Sequence, residues 1–501
     1  MNFIILDCYT DEPSGLGVPP YIGTYPRYIA GAVKQLKHNY FYLTIDDLRK
    51  HITKKEQKGL KTNIKIYNLS KNFKKIDEIL KKADAIIVIA GIHTPGKYLS
   101  ALPGTTKEVI DLIPKLNCIK ILTGPAAYGS GLYGGKVSRT IEKDLQNFDL
   151  IVPDIEYKLK DIIKSNFESN VSKTGKYEDL KKIVVLGAEI IKSYPYYPDC
   201  IAEIETSKGC PRETHCSFCT ESLKCGLEKR PAKDIIDEVK ELSRKGIKNF
   251  RFGKQSCFYS YGTNKEIEFL LKECKKYADI LHIDNANPVR VTEQKTKTIV
   301  KYCTEGNVAA FGVESFDKDV IRKNFLNSSP EDVFNAVKII NKYGAERKNG
   351  IPKFLPGINL LYGLIGESKK THQENMKWLQ KIYDNNLLLR RINIRQVVVF
   401  PGTKIADECG NKFIRKNKKY YWKWRNEIRQ KIDYPMLKKL VPKGTVLKRV
   451  RTEIHDGNTT FARQIGTYPL IVGIKERLEL NKFINIKVKS HMLRSIVGEK
   501  L

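Results

Sequence analysis

The chain has 501 residues, 41% of them hydrophobic, and its 89 Lys and Arg against 56 Asp and Glu give a formal net charge of +33. So basic a balance favours a polyanionic partner such as nucleic acid, because each neutralised phosphate releases counterions; a Lys-rich surface serving solubility and ion pairs is the plainer reading. No run approaches about 18 uninterrupted apolar residues, the start MNFIILDCYT has no basic n-region, and the eleven cysteines are odd in number. Together these argue against a membrane span, a signal peptide and a secreted disulfide scaffold, and for a reducing cytoplasm.

At roughly 150 residues per domain the length suggests about three α/β or β domains. Residues 1–150 alternate strands and helices. Apolar runs at Phe3–Leu6, Ala85–Ala90 and Ile119–Leu122 read as strands buried on both faces, and Tyr28–Leu36 and Ile76–Lys82 have helical spacing. The pattern predicts a doubly wound, Rossmann-like domain. Gly-rich turns at Gly91–Gly96 and from Gly124 to Gly135 fall where ligands bind in such folds, although turn chemistry alone also accounts for them. Residues 151–199 read as a connector, with a strand at Ile183–Leu186.

A second βα series spans 200–410. Its strands are expected at Ile201–Thr206, Asn249–Phe252, Ile280–Asp284, Val308–Val313, Gly357–Tyr362 and Gln396–Val399. Helices are expected at Ala232–Lys245, Asn264–Tyr277, Pro330–Lys342 and Lys369–Lys381. Six βα units fit a partial (β/α)6 barrel, with catalytic groups at the strand carboxyl ends. Residues 411–443 read as a basic, aromatic helical linker in which Tyr420, Tyr421, Trp422 and Trp424 are interleaved with Lys and Arg. Residues 444–501 read as a small C-terminal β-barrel with turns at Asp456–Asn458 and Gly466–Pro469. From Tyr421 to Leu501, 18 Lys and Arg stand against 7 Asp and Glu.

The chemistry-bearing motif is Ser207–Cys219, which places Cys210, Cys216 and Cys219 within ten residues directly after a strand. Thiolates this close can converge on one metal centre. A mononuclear zinc site wants four protein ligands, and only His215 or Cys225 could supply the fourth. A [4Fe–4S] cluster on three thiolates leaves one iron open. Incidental buried thiols are a third reading, and coordination alone does not choose among them.

The segment resembles the cluster loop of radical S-adenosylmethionine (SAM) enzymes, down to the aromatic Phe218 before the last cysteine. Five residues separate Cys210 from Cys216 where that superfamily usually has three, so the loop is enlarged. Further resemblances follow in the superfamily's order: Asn249–Gln255 its second strand, Phe311–Phe316 its fourth, Gly357–Glu367 its fifth, and Val397–Thr403 its sixth strand and exit turn. The resemblance implies a [4Fe–4S] cluster on the three cysteines and SAM held near Phe218, Gly253, Gln255, Glu314, Gly363, Gly366 and Val398. It also implies one-electron cleavage of SAM to a 5′-deoxyadenosyl radical that takes a hydrogen atom from the substrate. Glu314 as a structural carboxylate, Gln255 as a polar cap and the glycines as turn glycines are the plainer readings.

The order of parts resembles that of tRNA methylthiotransferases, and Ile484–Glu499 looks like the close of their RNA-binding TRAM-like barrel. Lys423, Arg425, Lys487, Lys489 and Arg494 are then the candidate RNA contacts, next to aromatics able to stack on bases. That family has a second three-cysteine cluster in its N-terminal domain, whereas residues 1–199 here contain only Cys8 and Cys118. The domain also resembles cobalamin-binding ones but lacks an Asp-x-His-x-x-Gly motif, so cobalamin is not supported. The layout resembles an archaeal radical SAM group that includes the archaeosine-forming lyase, which implies tRNA, archaeosine synthase and a ferredoxin- or flavodoxin-type electron donor as partners. A radical methyl- or methylthiotransferase on tRNA or protein, helped by Cys225 or Cys257, and a non-catalytic zinc-bound RNA-binding protein are the alternatives.

Overall fold

Apolar runs in the first unit form the strands of one five-stranded sheet. The unit comprises Met1–Ile204 with Lys233–Phe250. The computed structural model describes residues 1–9, 21–53, 67–91, 103–113, 116–128, 130–132, 138–140, 145–168, 175–221 and 226–501. Strands β1 (Asn2–Asp7), β2 (Asn39–Thr44), β3 (Ala85–Ile89), β4 (Ile119–Thr123) and β5 (Leu150–Ile151) form one parallel sheet in the order β2-β1-β3-β4-β5. This is the flavodoxin-like order of the doubly wound class, with the strand order reversing between β1 and β3. Phe3 to Leu6 and Ala85 to Val88 are wholly buried, the signature of strands covered on both faces. Strand β2 escapes the sequence reading because Asn39, Tyr40 and Phe41 lie at the sheet edge, so its apolar run is broken.

Helix α1 (Thr24–Gln35) packs on helix α2 (Tyr177–Leu186), which occupies the segment read as containing a strand. The β-branched run Ile183–Val185 suggested a strand, but Leu180, Ile183 and Val184 fall on one helical face and are buried. The two backbones nearly touch: a Cβ on Gly31 would lie 1.9 Å from the Ile183 carbonyl oxygen, so only glycine fits there. Of the two Gly-rich turns, residues 92–96 and Gly135 lie outside the described residues. Gly124 has φ +81° and packs on the Ala90 carbonyl, which is turn chemistry.

The remaining βα elements follow the sequence reading at β6 (Ile201–Glu205), α3 (Ala232–Arg244), β7 (Asn249–Gly253), α4 (Asn264–Lys275) and β8 (Ile280–Ile283). The second unit comprises Glu205–Ala232 with Arg251–Leu501. In it β9 (Asn307–Glu314), β10 (Phe354–Tyr362) and β11 (Arg391–Gln396) run parallel in that order, beside a short strand at Asn285–Ala286. Helices α5 (Pro330–Gly344) and α6 (Lys369–Asp384) separate them.

The last strand needs correction. It is Arg391–Gln396, and Val397–Val399 continues as irregular backbone. In β11 only Ile392 and Ile394 are buried, alternating with Arg391, Asn393 and Arg395, and the neighbouring triple Val drew the sequence reading downstream.

Helix α7 (Lys412–Ile428) then buries a stripe of Ile414, Asn417, Tyr421, Trp424 and Ile428. Two of the interleaved aromatics are therefore core, Tyr420 stacks on Trp424, and Trp422, 58% exposed, lies beneath the Arg425 guanidinium. The chain ends in a closed five-stranded barrel, β12 (Val446–Asp456), β13 (Thr459–Gln464), β14 (Ile471–Ile474), β15 (Phe483–His491) and β16 (Ile496–Lys500), ordered β12-β13-β14-β16-β15. Its interior residues, among them Val450, Val472, Ile486 and Val488, share one apolar cluster with Leu355 of β10 and with Leu437 and Leu440. The barrel is thereby seated on the βα layer by a common core. No helix among the described residues is long and apolar enough to cross a membrane.

Candidate active site

The cysteine loop is pinned at three points. At its start the Ser256 hydroxyl, just past β7, donates to the Gly209 carbonyl at 2.9 Å. In its middle Ser217, 1% exposed, donates its N–H to the Asn324 carbonyl (3.0 Å) and its hydroxyl to Asn324 Oδ1 (2.7 Å). The Ser217 carbonyl in turn accepts from Ile405 N–H (2.9 Å). Asn324, fully buried, also accepts from Ile365 N–H (3.1 Å) and donates Nδ2 to the Val320 and Ile365 carbonyls (2.8 and 2.9 Å). One side chain thus ties the cysteine loop to the glycine turn after β10, a role sequence spacing gave no hint of.

Cys210, Cys216 and Cys219 are all half-buried. Cys216 and Phe218 pack against an apolar cluster of Val320, Leu326, Leu364, Val397, Ile405 and Ile414, with Val399 beside them. Burial pushes the Cys216 thiol up to about 11, opposed by the Arg212 guanidinium, whose Nη1 lies 3.1 Å from the sulfur. Arg212 is held by the Phe325 carbonyl at 2.8 Å. Cys219 and Glu314 both lie within electrostatic reach of Cys216.

Glu314 ends β9 at φ +64°, directly after a register shift between Gly312 and Glu314. A bulge of this kind re-aims one side chain, here toward the cysteine loop. Burial raises its carboxyl to about 8, with Arg395 on β11 pulling the other way, so it holds a proton at neutral pH. Gly312 faces the same space, where a Cβ would come within 3.1 Å of Glu314 Oε1.

Gly253 is buried at the end of β7. Gln255, 4% exposed, turns Nε2 back to the Phe252 carbonyl (2.8 Å) and leaves Oε1 buried with no hydrogen-bond partner among the described residues. Gly363 (φ +98°) and Gly366 (φ +86°) shape the turn after β10. Their absent Cβ atoms would meet Ile414 and Lys323, so the turn and its packing require them. Glu367 locks that turn by accepting from Gly363 N–H (2.5 Å) and Asn417 Nδ2 (2.9 Å), and its own burial raises it to about 7. Val398 is half-buried in the irregular segment after β11. Cys257 is buried and accepts from Asn287 N–H (3.2 Å), and Cys225 lies outside the described residues.

Among the described residues no three His, Cys, Asp or Glu side chains gather around a single point as a mononuclear ion would require. Each thiolate of a [4Fe–4S] cluster takes its own iron, and three thiols on one pinned loop are the donor set such a cluster uses. Gln255 Oε1 is buried without a hydrogen-bond partner among the described residues, and the Glu314 carboxyl lies within electrostatic reach of Cys216. Residues 204–379, the stretch carrying all of these features up to Glu367, match the radical SAM superfamily. The chain belongs to the radical SAM superfamily.

As an enzyme of that superfamily it uses a [4Fe–4S] cluster and SAM. An uncharacterized protein of Methanocaldococcus jannaschii is 44% identical, with 99% of this chain and 92% of that relative covered. The ribosomal protein uS12 methylthiotransferase RimO of Clostridium acetobutylicum is 23% identical, with 83% of this chain and 90% of the relative covered. Among solved structures, the radical SAM methyltransferase TsrM from Kitasatospora setae superposes with a TM-score of 0.52 at 14% identity. That match covers 81% of this chain and 76% of that one, and shows a shared fold.

The candidate RNA residues fall in two places. Lys487 and Lys489 point outward from β15, and Lys489 is paired with Glu499 at 3.0 Å. Lys423 and Arg425 lie on α7, and Arg494 sits in the turn between β15 and β16. Arg425 and Arg494 are close enough to share an electrostatic field, together with Arg391 and Arg429, which sequence reasoning did not single out.

Proposed function

We propose that this radical SAM enzyme modifies a nucleoside in tRNA, with Cys210, Cys216 and Cys219 holding the cluster. When bound, the cluster and SAM supply one-electron cleavage of a carbon–sulfur bond and hydrogen-atom abstraction from a substrate carbon. The chain's own residues do the positioning. Ser217, Asn324 and Ile405 fix the loop. Gln255 and the protonated Glu314 offer hydrogen bonds to cofactor polar groups, and the Gly363–Glu367 turn closes one wall. The observation that carries the RNA reading is the basic five-stranded barrel seated on the same unit, an architecture that OB-type folds use to hold oligonucleotides.

The reaction we favour is not sulfur insertion. The two cysteines of the N-terminal sheet cannot share a second cluster: Cys8 follows the carboxyl end of β1, whereas Cys118 precedes the amino end of β4 in the same parallel sheet. Five residues of strand put them about 16 Å apart along it. The finer reading is C–N cleavage of a lysine adduct on a 7-deazaguanine base to leave archaeosine, after archaeosine synthase has built the adduct. The similarity to uS12 methylthiotransferases keeps a methylthiotransferase acting on tRNA or protein as the second reading. Mass spectrometry of tRNA nucleosides from a strain lacking the gene tests all of this. Loss of archaeosine with build-up of its lysine-bearing precursor supports the finer reading. Loss of a methylthiolated base supports the second, and an unaltered tRNA nucleoside profile overturns the RNA reading.

A further inference from the structure

The free edge of β11 is where the two halves of the proposed function meet. β11 is the last strand of its sheet, and the carbonyls on its outer edge are taken by side chains. Arg429 Nη1 donates to the Ile392 carbonyl (2.6 Å) and Tyr421 Oη to the Ile394 carbonyl (3.4 Å), so α7 and its continuation lie along this edge. With Ile392 and Ile394 buried behind it, β11 presents Arg391 and Arg395 from its other face. Arg395 reaches the field of Glu314, and Arg391 lies 4.5 Å from the centre of the Tyr468 ring.

Three more guanidinium groups converge here. Arg391 feels Arg395 and Arg429, Arg425 feels Arg429, and Arg494 feels Arg429, Arg391 and Arg425. The acidic groups facing them are few. Asp433 is bonded to Arg429, Asp284 is held by Tyr468 Oη (2.7 Å) and faces Arg251, and Glu314 faces Arg395. The Nε atoms of Arg391 and Arg429 are buried without a hydrogen-bond partner among the described residues. Burial, together with the neighbouring guanidinium charges, lowers the proton affinity of Arg391 and Arg425.

We propose that Arg391, Arg395, Arg425, Arg429 and Arg494 form an anion subsite that seats a backbone phosphate of the RNA substrate and so aims the target nucleoside at the carboxyl end of β9 by Glu314. Crowded guanidinium groups repel one another unless an anion completes them, and a phosphate offers several oxygens to their planar forks. The turn that carries Arg494 joins the fourth and fifth strands of the barrel. In OB-type barrels that loop is one of those that contact oligonucleotides. The inference rests on the RNA reading above.

The test is binding of fluorescein-labelled unfractionated tRNA to the full chain as a function of salt. Arg395 and Arg494 are exposed, so the double variant Arg395→Gln/Arg494→Gln should fold with an unchanged melting temperature. It should bind about tenfold or more weakly at 0.15 M salt, with a slope of log K against log salt less negative by about 1 to 2. Arg395→Lys/Arg494→Lys should keep the slope but lose affinity severalfold. A control of equal charge loss, Lys297→Gln/Lys338→Gln on exposed helix faces, should change neither. If the wild type binds tRNA steeply but the Gln double variant matches it, or the control falls as far, the subsite is wrong and the RNA reading stands. If the wild type does not bind tRNA, both fall together.

Discussion

Replacing Asn324 by Ala should loosen the cysteine loop without touching a cysteine. The side chain makes four hydrogen bonds, to Ser217 Oγ, Ile365 N–H and the Val320 and Ile365 carbonyls, and is fully buried. At about 1 kcal/mol net for each, the loss comes to about 4 kcal/mol, because the groups left behind stay buried without partners. Ser217→Ala removes only the 2.7 Å bond and should cost about 1 kcal/mol. Urea unfolding followed by circular dichroism measures both. Iron and sulfide per chain after anaerobic reconstitution report whether the loop still retains a cluster. We expect Asn324→Ala to lose most of its iron on gel filtration while Ser217→Ala keeps it. If Asn324→Ala unfolds within about 0.5 kcal/mol of wild type and retains full iron, the loop is not held as described.

Glu367 should make stability fall as pH rises. Its folded carboxyl keeps a proton up to about 7 against an ordinary value of 4.5. The stabilisation is therefore complete below pH 4.5 and is lost between there and pH 7, by about 3 kcal/mol. Urea midpoints of Glu367→Gln relative to wild type should rise across that window, and a flat difference would contradict the burial argument. Gly363→Ala forces a Cβ at φ +98° to within 2.5 Å of Ile414 and should cost about 3 kcal/mol or more. A loss under about 1 kcal/mol, again by urea unfolding, would mean the turn relaxes freely.

Much of this architecture was legible because its signals are local. Phe3–Leu6 and Ala85–Ile89 are continuous apolar runs, and Val446–Lys500 is a series of short alternating strands. The order of motifs around Cys210–Cys219, Glu314 and Gly363–Glu367 gave the cofactor chemistry. What escaped was set by tertiary contact. Ile183–Leu186 is helical because α1 comes up against its backbone. Tyr421 and Trp424 are core because α7 lies on the β11 edge, so only Trp422 keeps the exposed character expected of that cluster. Placing the sixth strand at Gln396–Val399 hid Arg391 and Arg395, whose shared face appears only in the correct register. Asn324 carries no chemical signature in sequence; only its four buried partners reveal it.

The central claim is that Cys210, Cys216 and Cys219 hold a [4Fe–4S] cluster that works on SAM. Electron paramagnetic resonance of the anaerobically reconstituted, dithionite-reduced chain tests it most directly. We predict a reduced [4Fe–4S] signal that shifts on adding SAM and disappears when all three cysteines are replaced by Ala. A signal unmoved by SAM, or one that survives the triple replacement, would contradict the account.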